Sequence, residues 1–248
     1  MSTVSTRAAQ RPSDGYLSRH LRTAALLERM DPAFARAAEE LVGHPHRTGL
    51  LPDSVRALIV LAVESVIPQA DEPRIASAID QALADGASEA EVLCTLEIAC
   101  SIGLHTVSIG LPLLIEEMEL AGLALPEQTV RQRQLQRALE TTGPRPRPLN
   151  RIYEGILRMD PDYFTARVRF IDLPWEQESV LDDGIKHLLS IAIDAVSPQH
   201  YVDGLRKHMR EALQIGVSPE AILEVLELAS VTGLRTLDVG LEVLAQRS

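Results

Sequence analysis

Aromatic residues and clustered positive charge are scarce in this sequence. Phe, Trp and Tyr make up 3% of the 248 residues, against 46% hydrophobic residues overall, so Ala, Leu, Ile and Val must fill the core. That mixture, rich in Ala and Leu, favours closely packed helices over sheets. The formal net charge is -11, which argues against a nucleic-acid partner because phosphate binding needs clustered Lys and Arg. A small anionic substrate is still allowed, since one or two local cations hold a carboxylate.

Cysteine and long apolar runs are also scarce. The two cysteines, Cys94 and Cys100, stand six residues apart in an apolar stretch, a pattern typical of reduced, buried thiols in a reducing compartment. No run approaches the ~18 uninterrupted apolar residues of a transmembrane helix. Residues 1–15 are polar and are expected to form a flexible tail rather than a signal peptide. We therefore expect a cytoplasmic protein without a membrane partner.

The chain contains two copies of one unit. When the sequence is shifted by 130 residues it aligns with itself without a gap over the second half of each copy. The identical pairs include Gly86 and Gly216, Ser88 and Ser218, Gly103 and Gly233, and Gly110 and Gly240. The duplication predicts a tail at 1–15, a first repeat at 16–125, a linker helix with a Pro-rich junction at 126–150, and a second repeat at 151–248.

Each copy carries the signals of helix ends and no convincing strand. Asp31 and Asp160 are predicted N-caps, each followed by proline at the first helical position. Gly86 and Gly216 stand where a helix should end in a left-handed residue. Because each amphipathic helix must cover its apolar stripe, we expect an all-α fold in which the two repeats pack into one pseudo-symmetric body.

Titratable side chains gather in the second copy. His187 and Asp194 are seven residues apart, which on a helix places them within about 20° of the same face. His208 lies on the next helix, and His200 stands at or just before its start. These groups could supply acid–base chemistry, although a lone helical His is more often structural. No established metal-binding spacing is present, so no metal site is expected.

Two longer stretches carry a family resemblance. Residues 204–213 followed by 216–229 look like the core signature of the carboxymuconolactone decarboxylase and alkylhydroperoxidase-D-like superfamily, and residues 103–112 resemble tandem members of it. The similarity spans about four-fifths of the chain. It implies an all-α fold of two alkylhydroperoxidase-D-like repeats. In the decarboxylase-like branch it also implies cofactor-free proton transfer on a small cyclic or carboxylated substrate.

The resemblance also shows departures. The cysteine positions of the peroxidase-like signature fall on Tyr201 and Gly204, which cannot form a disulfide, so a thiol peroxidase is the least favoured function. The family's glutamate position appears to fall on His187. His208 is the one residue whose role in the family transfers directly.

The favoured hypothesis is a cofactor-independent lyase, isomerase or decarboxylase with a single site in the second repeat. His208 is the principal acid or base in this hypothesis, and Arg206 or Lys207 holds an anionic group. The full set of expected catalytic residues is His208, His200, His187 and Asp194, and the expected substrate-binding residues are Tyr201, Arg206 and His105. The alternative is a non-catalytic ligand-binding or assembly protein on the same scaffold.

Assembly is expected from the same resemblance, which implies single-repeat relatives that associate into symmetric rings. Fusing two repeats halves the number of chains needed for the same body, so a homotrimer is predicted, with a dimer as the next possibility. A monomer of this length is also physically allowed.

Overall fold

A computed structural model describes residues 15–67, 70–142, 145–176, 180–196 and 198–247. Over these ranges every regular element is a helix, so the predicted all-α class is confirmed. The predicted tail lies outside the described residues apart from Gly15. The α-helices are α1 Tyr16–His20, α2 Ala24–Met30, α3 Pro32–Thr48, α4 Asp53–Ser65, α5 Glu72–Ala84, α6 Glu89–Cys100, α7 His105–Leu120, α8 Val130–Thr141, α9 Arg151–Met159, α10 Pro161–Asp172, α11 Asp183–Ala195, α12 Val202–Gln214, α13 Pro219–Ser230 and α14 Arg235–Ala245.

The helices repeat as the duplicated sequence predicts. Helices α4, α5 and α6 have the same lengths as α11, α12 and α13, and each pair begins 130 residues apart. Helices α7 and α14 also begin 130 residues apart, each after a short 3-10 turn, at Ser101–Leu104 and Val231–Leu234. Helix α8 occupies the predicted linker, and the Pro-rich stretch follows it.

The helix ends follow the local sequence signals. The Asp31 and Asp160 carboxylates accept hydrogen bonds from the backbone N–H of Phe34 and Tyr163, both at 2.9 Å, so the two predicted N-caps are confirmed. Gly86 and Gly216 have φ angles of 98° and 92°, in the left-handed region that glycine adopts without strain. The turn between the second and third helix of each half-repeat is therefore set by glycine in both copies.

We expect Asp160→Ala to lower the free energy of unfolding by about 1 kcal/mol, because it leaves an N–H at the start of α10 without its acceptor. Asp160→Asn keeps an oxygen acceptor and should stay within a few tenths of a kcal/mol of the natural chain. Urea denaturation followed by circular dichroism measures both variants. Equal losses in the two variants would show that the cap does not stabilise the helix.

Packing divides the described chain into two compact units. One unit joins the described parts of residues 1–50 and 230–248, and the other covers 51–229. This grouping follows packing and not the repeat boundaries, which stay a prediction from sequence similarity. In the first unit, Leu17, Leu21, Val42 and Leu241 belong to one buried cluster.

The core of the second unit is built from both repeats. Its largest buried cluster combines residues of α4, α5 and α6 with their counterparts on α11, α12 and α13, among them Leu58, Leu61, Leu189 and Ile191. A buried ion pair also joins the copies, with Arg56 Nη1 of α4 at 3.0 Å from Glu224 Oε1 of α13. Within this unit the two repeats therefore share one core.

One helical segment leaves much of its apolar surface uncovered. Over the described residues, Glu89–Leu120 is the one segment long and apolar enough to span a membrane by composition, with a mean hydropathy of 1.9 and 28% of that window buried. This segment was not expected from the absence of long apolar runs. A 3-10 turn interrupts it at Ser101–Leu104. Its buried residues, Ile98 and Leu111 among them, belong to the cores of the second unit.

Candidate active site

A cavity of about 250 Å³ lies in the second unit. Its lining comes from α7 of the first repeat, α10, α11 and α12 of the second repeat, and the junction between the repeats. The polar and aromatic lining residues include His105, Ser108, Arg145, Arg167, Trp175, Ser190, Asp194, Tyr201, Lys207 and His208. This volume suits a small molecule, and the lining gathers most of the titratable residues that the sequence singled out.

Asp194 and His105 meet in this cavity, one from each repeat. Asp194 stands in the last turn of α11 and His105 begins α7. Asp194 Oδ1 lies 3.3 Å from His105 Nε2. Burial raises the pKa of Asp194 to about 8, against a smaller opposing effect of Lys207. Burial, followed by the charge of Arg167, lowers the pKa of His105 to about 4. At neutral pH the pair is therefore a protonated carboxyl group beside a neutral imidazole.

Gly204 and Tyr201 surround the other oxygen of this carboxyl group. A Cβ atom at position 204 would collide with Asp194 Oδ2 and would lie 2.5 Å from Cδ1 of Tyr201. The Tyr201 ring lies against the His105 ring, with 4.0 Å between centroids, and burial raises the pKa of its hydroxyl group. Glycine is thus required at 204 for α12 to pack this closely on the Asp194 side chain.

His187 and His208 form a second pair of neutral imidazoles. Their Nδ1 atoms are 3.1 Å apart, so one donates a hydrogen bond to the other. The Trp175 ring lies beside both, at 4.7 Å and 6.1 Å between centroids. Burial lowers the pKa of His187 to about 4. Burial and the positive charge of Lys207 lower the pKa of His208 well below its usual value. Both rings are unprotonated at neutral pH, and the shared hydrogen bond couples their tautomers.

Cationic side chains determine the charge of the cavity. Arg145, Arg167 and Lys207 all line it, whereas its ionised acids, Glu97 and Asp203, are exposed residues. Because Asp194 is neutral at neutral pH, the cations are not balanced inside the cavity. The site is therefore suited to bind an anion such as a carboxylate.

The three cations are held by specific contacts. Arg167 donates from Nη2 to Ser108 Oγ at 2.8 Å. Lys207 Nζ lies 2.8 Å from Glu211 Oε2. The Arg145 guanidinium lies 3.7 Å from the centroid of the Trp175 ring, and burial lowers its pKa. Arg145 and Arg167 thus come from the junction and from α10, while Lys207 comes from the helix that carries His208.

The structure brings most of the expected site residues together. His105, Asp194, Tyr201 and His208 line the cavity, and His187 contacts His208. His200 and Arg206 are separate from them: His200 is exposed on the turn before α12, with a φ of 40°. Arg206 lines an open groove on another face of α12, with Val202, Met209 and Leu213.

Helical periodicity accounts for the placement of Arg206. Residues 204, 207, 208 and 211 share one face of α12, so Lys207 lies beside His208 while Arg206 lies about 100° away around the helix axis from Lys207. The sequence therefore contained enough information to prefer Lys207. Arg145, Arg167 and Trp175 were not anticipated, because they come from the junction, α10 and the turn that follows α10.

A metal ion has one candidate position in the described part of the chain. His187, His208 and Glu211 offer ligand atoms that lie within 4.8 Å of one another. Lys207 and Arg145 both lie beside Glu211, at 2.8 Å and 3.6 Å, and their positive charges oppose a divalent cation there. The expectation of no metal site stays a prediction.

The thiols lie outside the cavity lining. Cys94 is buried on α6 as expected, but Cys100, expected to be buried, is exposed at the end of that helix. Helix α6 turns its other faces toward the core, and six residues along a helix amount to well over one turn. Burial raises the pKa of the Cys100 thiol, so it is a poorer nucleophile at neutral pH.

Comparison with known proteins supports the family resemblance. The family model described as "Carboxymuconolactone decarboxylase family" matches residues 161–239. A crystal structure from Burkholderia xenovorans LB400, of a protein provisionally assigned as a gamma-carboxymuconolactone decarboxylase subunit, has a TM-score of 0.83 and 35% sequence identity, and the match covers 94% of this chain and 94% of that chain. No curated protein matches the chain. The extent and identity of the structural match confirm the resemblance that the sequence motifs indicated, and the chain belongs to the carboxymuconolactone decarboxylase family.

Proposed function

We propose that this protein is a cofactor-independent decarboxylase-like lyase that acts on a small, carboxylated, unsaturated lactone. The observation that carries this proposal is a cavity with unbalanced cations and a carboxyl group that keeps its proton at neutral pH. Loss of carbon dioxide leaves an electron pair on the substrate, and the product forms when a proton is added. Such a reaction needs a carboxylate-binding site and an acid, and it needs no base.

The side chains divide between these two tasks. Arg167 and Lys207 hold substrate carboxylates through charge-assisted hydrogen bonds. Asp194 supplies the proton, because it is the cavity carboxyl group that burial keeps protonated. His105 contacts the Asp194 carboxyl group and orients it. His208 and His187 are neutral imidazoles, so we give His208 the role of hydrogen-bonding partner or base, and not of acid.

The chemistry of the reaction follows from these positions. The carbon–carbon bond to the leaving carboxylate breaks, its electron pair moves through the conjugated double bond toward the ring carbonyl, and carbon dioxide departs. The Asp194 proton is then transferred to the resulting carbanion, and solvent restores the proton before the next turnover. A general acid in this position contributes roughly 10²- to 10⁴-fold to the rate.

The direct test is turnover of carboxymuconolactone and related carboxylated lactones by the purified protein, followed through release of carbon dioxide and loss of the lactone absorbance. We expect release of one carbon dioxide for each lactone consumed, without added metal or coenzyme. Absence of turnover on the whole panel would overturn the proposal in favour of a binding or assembly role. The position of His208 in the cavity beside His187 favours the enzyme.

We expect Lys207→Met to raise KM roughly ten- to a hundredfold, because a charge-assisted hydrogen bond to the substrate is lost. Arg206→Met is the matched control: it removes a cation from the neighbouring position but from another face of α12, and it should change KM by no more than roughly twofold. Steady-state kinetics on both variants decide the point. A larger effect at Arg206 than at Lys207 would place the anion site elsewhere.

We also propose that the protein assembles into a homotrimer in solution. The first repeat exposes Leu93, Ile109 and Leu113, and the equivalent positions of the second repeat, Leu223, Val239 and Val243, are exposed as well. An apolar surface that both copies keep exposed is typical of a subunit interface.

Light scattering tests this assembly. A trimer gives three times the chain mass of 27.2 kDa, and Leu113→Asp should shift the mass toward that of one chain. A single-chain mass for the natural protein would contradict the proposal, and twice that mass would favour a dimer. The cytoplasmic location stays a prediction.

A further inference from the structure

Asp194 Oδ2 is a buried polar atom without a protein partner. The residue is 2% exposed, and Oδ1 lies 3.3 Å from His105 Nε2, but Oδ2 has no hydrogen bond. Buried polar atoms are nearly always hydrogen-bonded, and leaving one unpaired is costly. Because Asp194 lines the cavity, a substrate atom is the natural partner for Oδ2.

The neighbours of Asp194 fix the direction of the missing hydrogen bond. His105 is neutral at neutral pH, and in the Nε2–H tautomer it donates to Oδ1. The acid proton of Asp194, retained at neutral pH because burial raises the pKa to about 8, is then on Oδ2. An Oδ2–H group donates, so its partner is an acceptor. The nearby Arg167 cation, which also lines the cavity, favours an acceptor that carries negative charge.

We propose that Asp194 Oδ2–H binds the oxyanion of enolates and phenolates, and that the cavity consequently also catalyses enolisation of small unsaturated lactones that have no carboxylate to lose. This proposal rests on the proposed function for the location of the site, but it concerns a second reaction. The ligand class is a planar conjugated carbonyl compound or its enol, small enough for about 250 Å³.

The second reaction is balanced by residues already in the cavity. His208 uses its Nε2, the nitrogen not engaged with His187, to accept a proton from the carbon next to the carbonyl group. The carbon–hydrogen electron pair forms a new carbon–carbon double bond, and the carbonyl π pair moves onto oxygen, where Asp194 donates its hydrogen bond. Return of a proton to either end of the conjugated system restores a lactone. No oxidant, reductant or metal takes part.

Binding of 4-nitrophenol tests the oxyanion subsite without any turnover. This probe gives the visible absorption of nitrophenolate only when it is ionised, so the spectrum reports which form is bound. We expect the natural protein to bind the ionised form. Asp194→Asn keeps a neutral N–H donor and should bind within roughly tenfold of the natural protein, whereas Asp194→Leu should bind at least roughly tenfold more weakly than Asp194→Asn.

Glu64→Gln is the matched control, because Glu64 is the buried carboxyl residue at the equivalent position of the first repeat and is not part of this cavity lining. It should bind 4-nitrophenol like the natural protein. Circular dichroism confirms that each variant is folded. Binding of the neutral phenol, equal binding by Asp194→Leu, or no binding by the natural protein would overturn the oxyanion subsite.

Exchange of hydrogen for deuterium in α-angelica lactone tests the second reaction by NMR. We expect the natural protein in heavy water to exchange the protons next to the carbonyl group at least roughly a hundredfold faster than His208→Ala does. Exchange at the background rate would overturn the enolisation. Both experiments are independent of decarboxylation: a protein that binds nitrophenolate and exchanges deuterium but releases no carbon dioxide would refute the proposed function alone.

Discussion

Replacing Asp194 with Asn is expected to lower the rate of decarboxylation by roughly 10²- to 10⁴-fold. Asn keeps the shape of Asp and can still donate an N–H, but it has no proton to transfer to the carbanion. Recombination with carbon dioxide then competes with product formation. The rate constant kcat, measured by carbon dioxide release, should fall much more than KM rises, since the cations that bind the carboxylates are unchanged.

The control for this prediction is Glu64→Gln, the same chemical change at the equivalent position of the first repeat. Glu64 is buried on α4, so the two variants compare similar losses of a buried carboxyl group. We expect kcat of the control to stay within roughly threefold of the natural protein. If Asp194→Asn also stayed within that range, a different group would have to supply the proton.

The stability of the protein is expected to be greatest near pH 6.5 and to fall steeply in acid. Below pH 6.5 the unfolded chain protonates His105 and His187, whereas the folded protein does so only near pH 4, and His208 behaves in the same direction. The unfolded state therefore binds more protons, and stability falls as pH decreases from 6.5 to about 4. Asp194 acts in the opposite direction, because its folded pKa of about 8 exceeds its ordinary value of 3.8.

The three histidines outweigh the single carboxyl group on the acid side. Each net proton contributes a slope of about 1.4 kcal/mol per pH unit, so two net protons give an upper limit near 3 kcal/mol per pH unit. Between pH 6.5 and about 8 Asp194 is the member of the cavity whose proton the folded state retains, and stability should fall gently as the pH rises. Urea denaturation at pH 5, 6.5 and 8 measures both limbs.

His187→Gln provides the control for the acid limb. It removes one of the histidines that must protonate on unfolding, so the acid limb should become shallower by about one proton, or about 1.4 kcal/mol per pH unit. An unchanged slope in this variant, or a stability that stays constant between pH 6.5 and 5, would show that these histidines are not buried in their neutral form.

The helical frame could be predicted from the sequence because its signals are local. Asp31 and Asp160 hydrogen-bond to N–H groups three residues away, and Gly86 and Gly216 fix turns through their own φ angles. The duplication supplied the same evidence twice. The sharing of one core by both repeats followed from the need to bury amphipathic faces, which is also a property of each helix by itself.

The site was predicted in part. His187, Asp194 and His208 could be grouped because helical spacing relates them within one helix or to the helix that follows. Arg145 and Arg167 could not, because their positions depend on how the junction and α10 pack in three dimensions. His105 was included, but its contact with Asp194 joins two repeats, and no sequence spacing determines such a distance.

Divergence of the copies explains why this constellation forms once. The positions of the first repeat that match His187 and His208 hold Ala57 and Ala78, both buried in the apolar core. Those positions retain the packing but lack imidazole chemistry. The first repeat instead contributes His105 to the cavity, so the duplicated frame supports one composite site.

Direct titration of the Asp194 carboxyl group tests the central claim most simply, because every role proposed for the cavity depends on a proton held there at neutral pH. The carboxyl carbon of Asp194 can be followed by ¹³C NMR from pH 4 to 9 and identified by its absence in Asp194→Asn. The account predicts a midpoint near 8. A midpoint near the ordinary aspartate value of 3.8 would mean that Asp194 is ionised at neutral pH, and it would contradict both the proton donor and the oxyanion subsite.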